Sequence, residues 1–425
     1  MSPSDTIRNA TPSCADPSDP GALGLDEARR RIAAAATPVT GGVRVALRSA
    51  LGRVLDAEVV SPQDVPNHTN SAVDGYALAG SELPPSGTRE FRVAGTAMAG
   101  APFTDPCASG ECVRIMTGAP MPAGTDTVVM QEHVDTAGDG RMRIDDRHRP
   151  GQNVRQAGED IAAHSVVLPA GRRLTPADLG VIASLGLGEV TVRRPVRVAF
   201  FSTGDELRAV GDPLGPGDVY DSNRYTLYGM LARLGVEILD LGVVRDSPEA
   251  LARAFTRAAA MADVVITSGG VSVGEADHIA AILGELGRVE FRKLAMKPGR
   301  PFTFGHLGDT LFFGLPGNPV AVMVTFYLLV QPTLGQLAGA GWQEPLTLEA
   351  TSTDRLRKRP GRFECTRGIL DHTMAGGPSV AATGSQGSGL LTSMSRADCL
   401  ILLPESRATV EPGDTVTVAP FAALI

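Results

Sequence analysis

Residues 267–278 read TSGGVSVGEADH and directly follow the apolar run Val264-Val265-Ile266, which is typical of a buried strand. Glycines let peptide N–H groups approach a ligand closely, and a helix N-terminus carries about half a positive charge, so phosphate is a suitable ligand. Glu275 and Asp277 would repel phosphate unless a divalent cation lay between them, as Mg²⁺ does when it binds carboxylates together with substrate oxygens. A tight turn followed by an ordinary first helical turn accounts for the same residues equally well.

Two further strand ends carry polar residues that suit an anionic or metal-bound ligand. The segment 201–206, FSTGDE, places Asp205 and Glu206 directly after a buried strand. The segment 314–319, GLPGNP, ends a strand and begins a helix, with Asn318 as N-cap and Pro319 at the first helical position. Each segment, taken alone, is also consistent with an ordinary helix start.

Basic residues concentrate in two short stretches. Residues 293–300, KLAMKPGR, contain three bases and no acid, which favours a phosphate or oxyanion contact over a solvated loop. Residues 355–362, RLRKRPGR, contain five bases, of which one arginine could hold a tetrahedral oxyanion bidentately. The loop 384–389, GSQGSG, adds hydroxyls and peptide donors. Two strings of the N-terminal half, 71–77 (SAVDGYA) and 114–124 (RIMTGAPMPAG), indicate only turns and loops by themselves.

The elements that must position these residues follow from the alternation of apolar runs and helical patterns between residues 197 and 337. Strands that are apolar on both faces and separated by helices predict a parallel, doubly wound α/β sheet. Such sheets bind ligands at the carboxyl ends of their strands. The three polar strand ends are therefore expected to meet at one edge of the sheet.

The remaining sequence predicts a multidomain α/β plus all-β chain with five regions. Short β-like runs separated by Gly and Pro indicate a β-rich domain inserted in a helical segment, in which Thr175 and Pro176 mark a helix start. The predicted regions are a disordered tail, 1–21; a helical linking segment, 22–60 plus 152–192; the inserted β-rich domain, 61–151; the α/β domain, 193–340; and a C-terminal β domain, 341–425.

Composition excludes several classes of protein. The chain has 425 residues, 43% of them hydrophobic, and a formal net charge of -8, which is typical of a globular protein and disfavours nucleic-acid binding. The N-terminus lacks a signal-peptide pattern, and the longest apolar run, Val320–Val330, is shorter than the ~20 residues that span a bilayer. Five cysteines without metal-ligand spacing indicate free thiols. We therefore expect a cytoplasmic protein without a membrane segment.

Nine strings together resemble one family, because they occur in the order seen in molybdopterin molybdenumtransferases, the molybdenum insertases. They are SAVDGYA, RIMTGAPMPAG, GQNVRQAGEDI, STGDEL, TSGGVSVGEAD, KLAMKPGRP, GLPGNPV, PGRF and TGSQGSG. The resemblance covers nearly everything from Leu25 to Ile425. It implies an elongated chain that dimerises through its helical segment, an α/β domain like that of molybdopterin adenylyltransferase, and a C-terminal β-barrel.

The resemblance implies insertion of molybdate into adenylylated molybdopterin, with hydrolysis of the phosphoanhydride and release of AMP. Crowded anions require cations, so Mg²⁺ is the expected cofactor, held by Asp74, Glu206, Asp246 and Asp277, with Asp205 beside them and Asp160 as a more distant candidate. The expected catalytic residues are Asp74, Asp205, Glu206, Asp277, Lys293 and Lys297. The expected substrate-binding residues are Thr117, Ser268, Gly269, Gly270, Asp246, Pro298, Arg362 and Ser388.

The resemblance also implies a homodimer whose active sites are shared between subunits, and it makes molybdopterin adenylyltransferase a candidate partner. Two alternative functions stay open. Because the α/β domain resembles both enzymes, the chain could instead catalyse the ATP-dependent adenylylation of molybdopterin. It could also be a non-catalytic scaffold. Such a relative would tolerate the loss of the acidic residues, but they are present in this chain.

Overall fold

The computed structural model describes residues 21–270, 276–373 and 376–424. They form two compact units: the first contains the chain up to Val43 and from Arg193 onward, and the second contains Arg44–Val192. The predicted disordered tail lies outside the described residues except for Gly21.

Helices are few for a chain of this length, and within the fully traced segment Arg44–Val192 the structure has a single α-helix. The described helices are α1 (Leu25–Ala35), α2 (Pro176–Ser184), α3 (Ser222–Arg233), α4 (Pro248–Met261), α5 (Ala276–Leu286), α6 (Pro319–Thr325), α7 (Gln331–Leu337), α8 (Leu391–Arg396) and α9 (Phe421–Leu424). The part of the expected helical segment that lies in the second unit therefore consists largely of short strands and loops.

The start of α2 matches its sequence prediction. Thr175 is the N-cap and Pro176 is the first helical residue. The Asp178 N–H donates to the Thr175 hydroxyl at 3.3 Å, and the Asp178 carboxylate accepts from the Thr175 N–H at 2.8 Å. Such a reciprocal capping box satisfies two peptide donors that the helix leaves unpaired.

The second unit is built around a six-stranded sheet with the order β7-β4-β6-β5-β9-β8. The strands of residues 42–193 are β1 (Gly42–Ala46), β2 (Val59–Val60), β3 (Asn70–Ser71), β4 (Gly75–Leu78), β5 (Thr88–Ala97), β6 (Glu111–Ile115), β7 (Thr127–Met130), β8 (Asp135–Gly138), β9 (Arg141–Asp145), β10 (Val154–Arg155), β11 (Val166–Leu168) and β12 (Glu189–Arg193). Both faces of the sheet are apolar: Val113 and Val128 pack on one face, whereas Phe91 and Val129 pack on the other. The expected inserted β-rich domain is thus present.

The first unit contains a six-stranded sheet with the order β16-β13-β17-β21-β20-β18. The strands of residues 197–315 are β13 (Arg197–Thr203), β14 (Leu207–Arg208), β15 (Val219–Tyr220), β16 (Glu237–Val244), β17 (Val264–Ser268), β18 (Gly287–Lys293), β19 (Met296–Lys297), β20 (Pro301–Leu307) and β21 (Thr310–Leu315). Phe200 packs in one core with Leu227 of α3, and Phe201 packs in the other with Phe255 of α4. The predicted doubly wound sheet is confirmed.

One strand of this sheet corrects the expectation of a wholly parallel arrangement. Strands β16, β13, β17 and β21 are parallel, but β20 pairs antiparallel with both β21 and β18. Leu307 pairs with Thr310, so only Gly308 and Asp309 connect β20 to β21. A connection of two residues can only reverse the direction of the chain, because a parallel crossover needs a dozen or more residues. Neither β20 nor this hairpin was predicted from the sequence.

Helix α1 packs in the first unit, although residues 22–60 were expected to pack with residues 152–192. Its apolar residues Leu25, Ala28 and Ile32 are buried in the core that includes the parallel sheet. The Gln336 amide donates to the Ala33 and Ala36 carbonyls at 2.8 and 2.7 Å, which holds the C-terminus of α1. An apolar helical stripe predicts burial but does not identify its partner.

The C-terminal strands close into a five-stranded barrel, as the family resemblance implied. They are β22 (Leu348–Ser352), β23 (Phe363–Asp371), β24 (Ser379–Ala382), β25 (Cys399–Leu403) and β26 (Thr415–Pro420). Their order is β23-β24-β22-β26-β25, and β25 pairs back with β23. Strand β19 adds to β23 in parallel, with Met296 opposite Phe363. This pairing fixes the basic stretch after β18 against the barrel.

The apolar helical segment Pro319–Leu337 has 19 residues and is long and apolar enough to cross a membrane by length and composition. The residues Phe326–Val330 form a π-helical turn that joins α6 to α7. However, 78% of its most apolar window is buried inside the protein, as expected for a core helix.

Four of the five cysteines lie in the described residues, and all four are free thiols, as predicted.

Candidate functional site

The three polar strand ends meet at the carboxyl edge of the parallel strands, as the alternation of strands and helices predicted. The Gly269 N–H, after β17, donates to the Leu315 carbonyl at the end of β21 at 3.2 Å. A Cβ atom on Gly269 would lie 2.4 Å from the Thr203 carbonyl oxygen at the end of β13. The ends of β13, β17 and β21 are therefore in direct contact.

The two glycines after β17 are required by this close contact. Gly269 and Gly270 have φ values of +90° and +67°, a backbone region that other residues rarely adopt. A Cβ atom on Gly270 would lie 2.6 Å from Ile279 Cδ1 and 2.7 Å from Thr203 Cγ2. We call the segment Ser268-Gly269-Gly270 the glycine turn. Its last two positions require glycine.

Two of the expected acidic residues lie together at the same edge. The Asp246 N–H, after β16, approaches Asp205 Oδ1 at 3.4 Å. Asp246 Oδ1 is buried and has no hydrogen-bond partner among the described residues, so it is an acceptor available to a cation or a donor. Asp205 and Glu206 are exposed.

The full set of expected metal ligands stays a prediction. Across the described residues, no three His, Cys, Asp or Glu side chains form a group that could hold a metal ion. Glu275 lies outside the described residues, and the side chain of Asp277, near the start of α5, is not among those described. Asp74 and Asp160 belong to the second unit, where both are exposed.

A cavity of ≈ 570 Å³ lies where the loops of the α/β region meet the barrel. Lys297, Pro298 and Ser388, three of the expected site residues, contribute to its walls. The lining residues are Met296, Lys297, Pro298, Gly299, Arg300, Pro301, Pro316, Gly317, Asn318, Ala321, Glu364, Cys365, Thr366, Gln386, Gly387 and Ser388. Lys293 and Arg362 are not among them. The cavity therefore joins three separate sequence motifs.

A buried carboxylate controls the charge of this cavity. Glu364 is only 7% exposed, and its Oε1 accepts from Arg362 Nε at 3.0 Å. Its Oε2 lies 3.7 Å from the ammonium of Lys297. Two cations and one anion leave one excess positive charge in this group. Arg362 and Lys297, which the sequence analysis assigned to substrate oxygens, are thus also partners of an acid.

A buried arginine, which the sequence analysis missed, holds the loop that carries Ser388. Arg367 is 1% exposed, and its guanidinium donates to the Gln386 and Gly387 carbonyls at 3.1 and 3.0 Å. In return, the Gln386 side chain accepts from the Arg367 N–H at 2.9 Å. None of the described residues accepts a hydrogen bond from the Gly387 or Ser388 N–H. The sequence of β23, FECTRGILD, also contains Glu364 and Asp371, so the charge of Arg367 alone did not distinguish it.

In the second unit, the two N-terminal strings are in contact. The Thr117 N–H and hydroxyl both donate to Asp74 Oδ1 at 2.7 Å. These two hydrogen bonds, the peptide one first, hold the pKa of the exposed Asp74 carboxyl below its ordinary value. The Gly118 N–H donates to the Ser71 carbonyl at 2.8 Å, which joins the two loops. Asp74, expected to be catalytic, and Thr117, expected to bind the substrate, are in contact.

Comparisons with known proteins agree with this division of the chain. Three family models match it: the MoeA N-terminal region (domain I and II) at residues 23–186, a probable molybdopterin binding domain at 199–336, and the MoeA C-terminal region (domain IV) at 349–421. The solved structure of a molybdopterin biosynthesis MoeA protein from Pyrococcus horikoshii superposes with a TM-score of 0.78 at 30% identity, covering 94% of this chain and 99% of that one.

Curated relatives match over nearly the whole chain. The molybdopterin molybdenumtransferase of Haemophilus influenzae is 44% identical over 404 residues, which cover 95% of this chain and 100% of the relative. That of Nostoc sp. is 37% identical and covers 88% of this chain and 87% of the relative. This chain therefore belongs to the molybdopterin molybdenumtransferase family and is a transferase with a role in molybdenum cofactor biosynthesis.

Proposed function

We propose that this chain inserts molybdate into adenylylated molybdopterin, with hydrolysis of the phosphoanhydride and release of AMP. The observation that carries the proposal is the cavity between the α/β loops and the barrel, whose ≈ 570 Å³ falls in the usual range for a small-molecule site. It combines the Lys297 ammonium with the Gly387 and Ser388 N–H groups, which have no acceptor among the described residues. Both the pyrophosphate of the substrate and molybdate are anions that need such donors.

The charges of the cavity suit an oxyanion. Lys297 and Arg362 outweigh Glu364 by one positive charge, and Arg300 adds another base to the lining. A unit charge ~5 Å from an oxyanion contributes roughly 3 kcal/mol at an effective dielectric near 20. Exposure of Lys297 to solvent reduces this value, so several donors must act together. Lys297, Ser388 and the peptide donors would bind and orient the oxyanion in this way.

The acidic residues at the sheet edge fit a magnesium ion. Asp246 has a buried carboxylate oxygen without a partner among the described residues and lies beside Asp205, and Mg²⁺ typically takes one or two carboxylates together with substrate phosphates. Asp205 and Asp246 would hold the ion, with Glu206, Asp277 and Asp74 as the further proposed ligands. When bound, the ion would neutralise charge on the phosphoanhydride.

The proposal also includes the arrangement of subunits. Asp74 and Thr117 of one subunit would complete the site of the other in a cytoplasmic homodimer. Molybdopterin adenylyltransferase would supply the substrate, since its chemistry produces the adenylylated pterin. The paired geometry of Asp74 and Thr117 supports a role at a site, because it keeps an exposed carboxylate ionised and oriented.

Incubation of the purified protein with adenylylated molybdopterin, Mg²⁺ and molybdate tests the reaction. We expect AMP and molybdenum cofactor to form together. Consumption of ATP with accumulation of the adenylylated pterin would instead support the adenylyltransferase. Absence of both reactions would support a scaffold.

The cavity itself is tested by a matched pair of variants. We expect Lys297→Met to lower the rate of AMP release by about 100-fold, since it removes one preorganised donor from a charged transition state. Arg355→Met removes an exposed cation that pairs with Glu411 on the same barrel and should leave the rate unchanged. Equal rates for both variants would rule the cavity out as the reaction site.

A further inference from the structure

Asn223 is a buried polar residue at the start of α3. The preceding Asp221 caps the helix, because its carboxylate accepts from the Arg224 N–H at 3.1 Å. Side chains in a first helical turn usually face solvent, yet Asn223 is only 9% exposed. A buried primary amide is unfavourable unless hydrogen bonds replace those it made to water. The hydrogen-bond partners of the Asn223 amide therefore explain why this side chain is buried.

Both donors of the Asn223 amide are used, and they reach two different loops. Nδ2 donates to Ser268 Oγ at 2.8 Å and to the Gly317 carbonyl at 2.7 Å. Ser268 is the last residue of β17, whereas Gly317 lies in the loop after β21. The Gly317 oxygen can only accept, so it assigns the NH₂ side of the amide to these partners. One side chain thus joins the ends of two neighbouring parallel strands.

The two loops that Asn223 joins are packed directly on each other. The Gly269 N–H donates to the Leu315 carbonyl at 3.2 Å. A Cβ atom on Gly317 would lie 3.9 Å from Gly269 Cα, so no side chain separates the two backbones. Gly317 lines the cavity, while Gly269 belongs to the glycine turn. A displacement of one loop therefore changes the position of the other.

The remaining atom of the amide has no partner among the described residues. Among the described residues, Asn223 Oδ1 is buried without a hydrogen-bond partner, and the same holds for Ser202 Oγ on the adjacent β13. An unsatisfied buried acceptor costs free energy that an apolar side chain would not. The Oδ1 atom of Asn223 thus carries this cost, while the NH₂ group of the same side chain holds two loops of the candidate site.

We propose that Asn223 is a positioning residue for the reaction. Its NH₂ group locks the glycine turn to the loop after β21, so that both loops face the bound substrate in one geometry. The inference rests on the proposed function for the substrate, whereas the coupling of the two loops is a property of the protein alone. Preorganisation of this kind mainly affects the chemical step, because it fixes the distance between reacting groups.

Three variants test this role. Asn223→Ala removes both donors, and Asn223→Asp keeps the shape but cannot donate from the oxygen that replaces Nδ2. The control is Thr310→Val: Thr310 is equally buried, and its hydroxyl lies within hydrogen-bond distance of the Ala259 and Ala262 carbonyls, at 3.1 and 3.0 Å, at the opposite edge of the same sheet. All three variants should lower the unfolding midpoint. A role in stability alone predicts the same kinetics for all of them.

We expect both Asn223 variants to lower kcat for AMP release by about 100-fold with little change in KM. Thr310→Val should keep kcat within about two-fold. A wild-type kcat in Asn223→Asp, or an equal loss in Thr310→Val, would overturn the proposal.

Hydrogen exchange of the full chain tests the coupling without any substrate. In both Asn223 variants, the amides of residues 268–270 and those of Gly317 and Asn318 should exchange faster together, whereas Thr310→Val should leave them unchanged. Unchanged exchange of both segments in Asn223→Ala would overturn the coupling of the two loops. If exchange shows this coupling but the wild type releases no AMP, the proposed reaction is wrong, whereas the coupling of the loops stands.

Discussion

At the scale of single residues, Asp74 shows how local hydrogen bonds define the state of a site carboxylate. Thr117 provides two donors to one oxygen of an exposed side chain, and these donors favour the charged form. Because the folded-state pKa lies below the ordinary value, the interaction stabilises the fold above the unfolded pKa. This contribution is lost as the pH falls through the folded pKa. The lowered pKa therefore favours the ionised form of the Asp74 carboxyl.

The Thr117 hydroxyl should account for part of this pKa shift. We expect Thr117→Val to raise the pKa of Asp74 toward its ordinary value while leaving it depressed, because the peptide hydrogen bond is the larger cause and remains. Titration of the Asp74 carboxyl carbon by NMR measures the change. Thr117→Ser keeps the hydroxyl and should retain the wild-type pKa. An unchanged or lower pKa in Thr117→Val would contradict this assignment.

The basic residues show that a count of charges along the chain does not reveal which of them pair with acidic side chains. The stretches around Lys297 and Arg362 predicted contacts with anionic substrates, and Lys297 does line the cavity. Both bases also approach Glu364, which lies in β23 between the motifs that were recognised. Lys297 meets Glu364 because β19 pairs with β23, a contact between distant segments that the sequence could not reveal, whereas Arg362 is only two residues from Glu364 along the chain.

At the scale of elements, β17, the glycine turn and α5 determine how the carboxyl edge of the sheet is built. The glycine turn brings β17 into contact with the ends of β13 and β21, and its backbone conformation excludes side chains. The sequence predicted this element correctly, because two adjacent glycines after an apolar run are typical of a tight turn at a strand end. It did not predict that Asn223 of a different helix would join the turn to the next loop.

A methyl group at Gly270 should disrupt this unit. We expect Gly270→Ala to lower the free energy of unfolding by about 1–3 kcal/mol, because its φ of +67° and the contacts with Ile279 and Thr203 are both unfavourable. The control is Gly284→Ala in α5, where a Cβ atom meets nothing within 4 Å. It should stabilise the protein by about 0.5–1 kcal/mol. Urea unfolding measures both, and effects of the same sign would contradict this prediction.

At the scale of the whole molecule, the proposed site residues are distributed over both compact units. The cavity, the glycine turn and the acids Asp205 and Asp246 belong to the first unit, whereas Asp74 and Thr117 belong to the second. The family resemblance implies that the two groups come from different subunits. A shared site of this kind predicts that each subunit depends on its partner for activity.

Mixed dimers test this sharing. Asp74→Ala chains and Asp277→Ala chains should each be inactive alone. After co-refolding, random pairing of a symmetric dimer should recover about a quarter of the wild-type activity, because half of the dimers are mixed and each has one intact site. AMP release measures the recovery, and each variant refolded alone is the control. No recovery in dimers verified as mixed would contradict a shared site.

The sequence by itself determined the elements whose cause is local. Apolar runs predicted the parallel strands, Thr175 and Pro176 predicted the start of α2, and paired glycines after an apolar run indicated a tight turn. The tertiary structure decided what depends on contacts between distant residues: the antiparallel β20, the burial of α1 in the first unit, and the roles of Arg367 and Asn223. Periodicity and capping act within a few residues, whereas these contacts depend on which surfaces meet when the chain closes.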